Sequence, residues 1–180
     1  MQIEQKIALI TGANKGIGLA TARELGKTGW TVLLGARNPD LGHTAESELQ
    51  AEKFDAHFVE LDLNNPQTIS LAASKVQREF GRLDVLVNNA GIVDGHDGPP
   101  SLASIDAVKR VMRTNFLGTV AVTQTMIRES CNSVLGSVRL GFLSEGRQTG
   151  SNSDVSFGPP TVYLGPCLEA YNCMFLTGRL

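Results

Sequence analysis

The junction that most constrains the fold is the apolar run Ile7-Ala8-Leu9-Ile10 passing directly into Thr11-Gly12-Ala13-Asn14-Lys15-Gly16-Ile17-Gly18. A short buried strand feeds a glycine-rich turn, and the turn opens into a helix-forming segment near Gly16. Exposed N–H groups at such a helix start attract anions through hydrogen bonds and through the helix dipole. Gly12 permits a tight turn, Gly16 lets the backbone approach a pyrophosphate, and Gly18 lets the helix pack closely on its strand. The spacing is Gly-x3-Gly-x-Gly rather than the commoner Gly-x-Gly-x2-Gly, and a glycine trio alone also suits a plain structural turn.

The next hundred residues repeat the strand-then-helix pattern. Short apolar runs at Ile7–Ile10, Thr31–Leu34, His57–Leu61 and Val85–Val87 are of the kind that buried parallel strands show. Helical patterns lie between them, from about Ile17 to Thr28, Leu41 to Lys53 and Pro66 to Phe80. The third starts well, with Asn65 as N-cap and Pro66 at the first helical position, and Gly81 stops it. A fourth helix is expected from Ile105 through Met126, with Ser104 as its cap. Alternation of this period predicts right-handed βαβ units and an α/β fold: a Rossmann-type, doubly wound parallel sheet in the order 3-2-1-4, incomplete at the C-terminus.

After Ser130 the character changes. Residues 131–180 hold six charged residues, seven glycines and three prolines, and no 3.6-residue periodicity survives. Val134-Leu135 is a candidate end for a fifth strand, and residues 144–162 read as loop. The organisation expected is a dinucleotide-binding domain over 1–137 and an irregular, partly disordered segment over 138–180.

Composition narrows the function. At 180 residues the chain can bury an ordinary core, and a net charge of −2 carries no polyanion-binding signature, which disfavours nucleic acid. Cys131, Cys167 and Cys173 make neither a metal-ligand pattern nor a closed disulfide set, so no metal is expected and a reducing, cytoplasmic setting fits. The start of the chain does not read as a signal peptide, and no run approaches the roughly 18 apolar residues of a membrane span. A phosphate-loop NTPase fails because Lys15 is followed by Gly16 rather than Ser or Thr.

Four motifs in order make the chain resemble the short-chain dehydrogenase/reductase family, and within it the carbonyl reductase-like members. They are Thr11-Gly12-x3-Gly16-Ile17-Gly18, Leu61-Asp62-Leu63, Asp84-Val85-Leu86-Val87-Asn88-Asn89-Ala90-Gly91 and Thr114-Asn115-Phe116-x-Gly118. The resemblance covers about 1–137. It implies an oxidoreductase that moves hydride between a nicotinamide cofactor and a small carbonyl or alcohol substrate, and it leaves the oligomeric state open. The candidate cofactor-binding residues are Gly12, Asn14, Lys15, Gly16, Ile17, Gly18, Arg37, Asp62, Leu63, Asn89, Ala90 and Gly91. Small Ala90 and Gly91 leave room for a ribose, the Asn amides can tie strands together, and Asp62 can accept from an adenine amine; a strand-ending turn and a loop aspartate are the plain alternatives.

Charge argues for the cofactor. Folds that prefer NAD usually place a carboxylate after the second strand, whereas here Gly35-Ala36-Arg37-Asn38 offers a cation and Lys15 offers another. A 2′-phosphate would be matched by both, so NADP is expected.

For catalysis the resemblance implies three residues. Asn115 corresponds to an Asn that breaks its helix and holds a relay water, Ser133 to the serine that orients the carbonyl, and Tyr171 to the proton donor. The family's donor is followed four residues later by a lysine, which puts both side chains on one helix face. Here Tyr163 is followed at that spacing by Cys167 and Tyr171 by Phe175, and no lysine follows Lys109. A phenol with an ordinary pKa near 10 is a poor relay at neutral pH. The alternative reading is therefore a catalytically impaired nucleotide-binding module, a truncated or frame-altered product.

Overall fold

Five parallel strands form one sheet in the order β3-β2-β1-β4-β5 in the computed structural model of the chain, which describes residues 5–93, 103–130 and 139–142. The strands are β1 (Ile7–Thr11), β2 (Thr31–Ala36), β3 (Ala56–Glu60), β4 (Val85–Asn88) and β5 (Arg139–Phe142). The four-strand order 3-2-1-4 holds, and β5 extends it beside β4.

Between the strands run α1 (Gly16–Lys27), α2 (Pro39–Ala51) and α3 (Pro66–Phe80). Beyond β4 come α4 (Ile105–Met112), a π-helical turn (Arg113–Gly118) and α5 (Thr119–Ser130). Each start has a local cause. Asn38 accepts from the Leu41 N–H, Asn65 from the Gln67 N–H and Ser104 from the Ala107 N–H, closing orphan donors of the first turns.

Residue alternation along the strands sorts the core into two layers. Leu9, Leu33, Val59 and Leu86 share one cluster with Ile69, Ala72, Ala73 and Val76 of α3 and with Val122 and Met126 of α5. Ala8, Ile10, Val32, Leu34 and Val87 share the other with Ala22 of α1 and with Ala45 and Leu49 of α2. The sheet is thus covered on both faces, which is why its strands read as continuous apolar runs rather than as alternating ones.

Four expectations need correction. The second helix starts at Pro39 rather than Leu41, because Asn38-Pro39 is the same cap-and-proline signal as Asn65-Pro66. The third strand begins at Ala56, one residue before the expected His57. The single helix expected from Ile105 to Met126 is interrupted by the π turn and ends at Ser130. The fifth strand falls at Arg139–Phe142, inside the segment expected to be irregular; its pairing with Val85–Asn88 places it, while Val134 and Leu135 lie outside the described residues. The loop expected over 144–162 also lies outside them.

Candidate active site

The order in which successive strands are laid down reverses between β1 and β4: β2 and β3 lie on one side of β1, β4 and β5 on the other. Open α/β sheets bind ligands in the crevice at the carboxyl ends of the strands where this switch occurs. The segments following β1, β2, β3 and β4 all emerge on this edge, and every described cofactor candidate lies in them.

Thr11 organises the junction. It is 1 % exposed, and its hydroxyl accepts from the backbone N–H groups of Asn89 (3.0 Å) and Ala90 (2.9 Å) while donating to the Val87 carbonyl at 3.4 Å. The Asn89 side chain returns the link, its Nδ2 donating to the carbonyls of Thr11 (2.9 Å) and Gly12 (3.3 Å). This reciprocal clasp locks the glycine turn to the segment after β4. A third tie, Ala13 N–H to the Gly35 carbonyl at 3.0 Å, holds the turn against the end of β2. Thr11 is not among the candidates drawn from the sequence, where its signal is a β-branched hydroxyl residue ending an apolar strand just before the glycine turn.

The glycines serve the clasp in two ways. Gly12 and Gly16 have φ of +67° and +57°, a region that L side chains rarely adopt. Gly18 answers to space: a Cβ there would lie 2.5 Å from Asn89 Nδ2 and 2.6 Å from the Gly12 carbonyl oxygen. Its role is thus close approach to the turn and to Asn89, rather than to the strand. Nothing lies within 4 Å of a Cβ built on Gly16, so the backbone there faces open space.

At the start of α1 the N-cap residue Lys15 supplies no side-chain cap, and the first turn holds no acidic residue. The first N–H groups of the helix are left for an external acceptor, with the positive end of the dipole behind them. Lys15 and Arg37 are exposed, and neither makes an ion pair or side-chain hydrogen bond among the described residues. Arg37 directly follows β2, whose Gly35 is the register partner of Thr11, so the arginine leaves the sheet beside the glycine turn. Donors, dipole and cations together fit a phosphate-bearing dinucleotide.

Asp62 follows β3 on the same edge. Its Oδ1 accepts from the Asn64 N–H at 2.9 Å, the bond of a loop aspartate, while Oδ2 has no partner among the described residues. Leu63 is buried. Asn14 and Ile17 flank the turn, half-buried and 47 % exposed respectively.

Asn115 lies in the π turn. Its Oδ1 accepts from the Ile92 N–H and its Nδ2 donates to the Ile92 carbonyl, both at 2.8 Å. Both ends of the amide therefore hold the backbone just past Ala90-Gly91, and each keeps one further lone pair or N–H to offer. A Cβ on Gly91 would sit 3.5 Å from Asn115 Oδ1, an ordinary van der Waals contact. Ser133 and Tyr171 lie outside the described residues. Among the described residues no group of three or more His, Cys, Asp or Glu could hold a metal ion, and no helix is long and apolar enough to cross a membrane.

Residues 6–138 match the short chain dehydrogenase family. Carbonyl reductase (NADPH) 1 of Mus musculus is 42 % identical over 129 residues, covering 71 % of this chain and 46 % of that protein. Carbonyl reductase (NADPH) 3 of Rattus norvegicus is 43 % identical over 116 residues, 63 % of this chain and 41 % of its own. The chain thus spans a little under half the length of these curated relatives. Among solved structures, a gluconate 5-dehydrogenase from Burkholderia cenocepacia in complex with NADP and tartrate superposes with a TM-score of 0.68 at 29 % identity, over 76 % of this chain and 52 % of that one. A variant actinorhodin polyketide ketoreductase with NADPH gives 0.67 at 32 % identity, over 74 % and 51 %.

Proposed function

The chain belongs to the short-chain dehydrogenase family, and on that premise we propose that it is the cofactor-binding part of an NADP-dependent oxidoreductase acting on a small carbonyl or alcohol. The observation that carries the reading is the acid-free, uncapped start of α1 behind a positive-φ glycine turn, flanked by the uncommitted cations Lys15 and Arg37. In this reading the α1 N–H groups hold the pyrophosphate, Lys15 and Arg37 hold a 2′-phosphate, and the free oxygen of Asp62 accepts from the adenine amine. Gly12, Gly16 and Gly18 let the dinucleotide lie close to the backbone, while Ala90 and Gly91 leave space for the second ribose. Bound there, the nicotinamide supplies or accepts hydride at the carbonyl carbon. Ser133 is proposed to orient the carbonyl oxygen, Tyr171 to donate the proton, and Asn115 to hold the edge of the site through Ile92.

A second reading, cofactor binding with impaired turnover, is favoured by one specific observation: Phe175 stands where a lysine would assist Tyr171. A positioned acid–base group typically contributes about 10²–10⁴-fold to rate. The purified chain is therefore expected to bind NADPH and to reduce a generic aldehyde at least about 10²-fold more slowly than a relative with the Tyr-x3-Lys pair. Titration of NADPH fluorescence alongside steady-state aldehyde reduction tests both readings. Binding without turnover selects the second; fast turnover abolished by Tyr171→Phe selects the first; absence of any dinucleotide binding overturns both.

A further inference from the structure

The π turn that carries Asn115 is also clamped by the loop after β3. Asn64 Nδ2 donates to the Thr114 hydroxyl at 2.9 Å across fifty residues of sequence. One turn further along, a Cβ on Gly118 would lie 2.5 Å from the Leu63 carbonyl oxygen and 2.8 Å from Leu63 Cβ, so the backbone of the π turn rests on the loop. Thr114 and Gly118 are both buried, whereas Asn115, between them, turns outward to Ile92. The loop itself is fixed: Asp62 Oδ1 accepts from the Asn64 N–H at 2.9 Å, the Asp62 N–H donates to the Thr68 hydroxyl at 3.0 Å, and the Asn65 N–H donates to the Asp62 carbonyl at 3.0 Å. The other amide atom of Asn64, Oδ1, is buried without a partner. An amide kept with one end unsatisfied is costly, which makes its single bond to Thr114 the contact that explains its presence.

We propose that Asn64 is a positioning residue which, through Thr114, sets the π turn and so the hold of Asn115 on Ile92. The adenine-side loop at Asp62 and the nicotinamide-side corner at Ile92 are then one connected unit. Wide helical turns are rare, occur as single-turn bulges inside α-helices and are frequent at functional sites. Here Thr114 supplies the anchor point and Gly118 the seat. The functional meaning rests on the NADP-dependent reading above, but the geometry does not, and the two can fail separately.

Amide hydrogen exchange on the full chain, without cofactor, tests the proposal. Thr114→Val keeps the shape of the side chain and removes the acceptor. It is expected to speed exchange of the Ile92 N–H about tenfold or more, as is Asn115→Ala, which removes the acceptor itself, while Leu9 and Leu33 in the central strands keep their protection. Thr114→Ser, which restores the hydroxyl, is expected to return the wild-type rate. Should Thr114→Val fail to fold, Asn64→Ala deletes the same bond from the loop side and carries the test. Unchanged Ile92 exchange in Thr114→Val or Asn64→Ala, or a Thr114→Ser variant as fast as Thr114→Val, overturns the positioning role. An NADPH titration of the same proteins reads the functional consequence: weaker binding in Thr114→Val with rescue in Thr114→Ser supports it. If the wild type binds no NADPH, the cofactor reading falls while the exchange result still stands.

Discussion

Around the glycine turn, polar groups are turned inward: the Thr11 hydroxyl makes three hydrogen bonds, the Asn89 amide nitrogen reaches two carbonyls, and Ala13 is tied to Gly35. At the corner formed by Lys15 and Arg37 the reverse holds, with two cations and an uncapped helix start left without partners among the described residues. The first region supplies shape and the second supplies charge. Substitutions in the first should therefore damage fold and binding together, and those in the second should change only which ligand binds.

The largest effect expected is from Gly18→Val. Its side chain would occupy space held by Asn89 Nδ2 and the Gly12 carbonyl, so the turn must move or the protein must unfold. Loss of cooperative unfolding, or at least about a hundredfold weaker NADPH binding, is the expected result in melting and titration; wild-type values would break the distinction drawn here. Next is Thr11→Val, which leaves the N–H groups of Asn89 and Ala90 without their buried acceptor. Each unpaired group costs about 1–3 kcal/mol, so denaturant unfolding should register a loss of about 2–6 kcal/mol.

Arg37→Asp belongs to the second region. It should leave stability within about 0.5 kcal/mol of wild type, as exposed substitutions do. Its preference should turn toward NADH by about tenfold to a hundredfold, the scale of one charge-assisted contact. A large drop in melting temperature would mean that the cation is structural after all.

The smallest effect lies away from the site. Burial pushes the Glu46 carboxyl up, but its bond from the Phe58 N–H at 2.8 Å and the neighbouring His43 and His57 outweigh this and hold its pKa below the ordinary 4.5. A carboxyl depressed in the folded state stabilises the fold above its unfolded pKa and loses that contribution as the pH falls through the folded value. Glu46→Ala should cost about 1 kcal/mol at neutral pH and less in acid, and chemical denaturation at the two pH values checks it. An equal cost at both would refute the depressed carboxyl.

How legible these regions were in the sequence follows from the kind of interaction in each. Asn65-Pro66 and Gly81 announced both ends of α3 because caps are local chemistry. Asn38-Pro39 carried the same message two residues before the helix start inferred from apolar spacing. The glycine turn and the asparagines after β4, which make the candidate cofactor edge, are legible because glycine turns and strand-ending amides are local too. The clasp from Thr11, the bond from Asn64 to Thr114 and the strand at Arg139–Phe142 were not, since each is defined by a partner far along the chain. In particular, Arg-Leu-Gly-Phe has little strand character of its own; it is a strand because Val85–Asn88 pairs with it. The π turn fell between these cases. Asn is mildly unfavourable inside a helix, which marks Asn115 as a place for a break, whereas the packing of Gly118 on Leu63 joins segments far apart in the chain.

The central claim, that a preformed turn binds the dinucleotide while Lys15 and Arg37 choose the phosphorylated form, is tested most directly by calorimetric titration of the wild-type chain with NADPH and with NADH. The account predicts NADPH binding at least about tenfold tighter, with the difference shrinking as salt screens the two cations. Equal affinities for the two cofactors, or a preference for NADH, would contradict it.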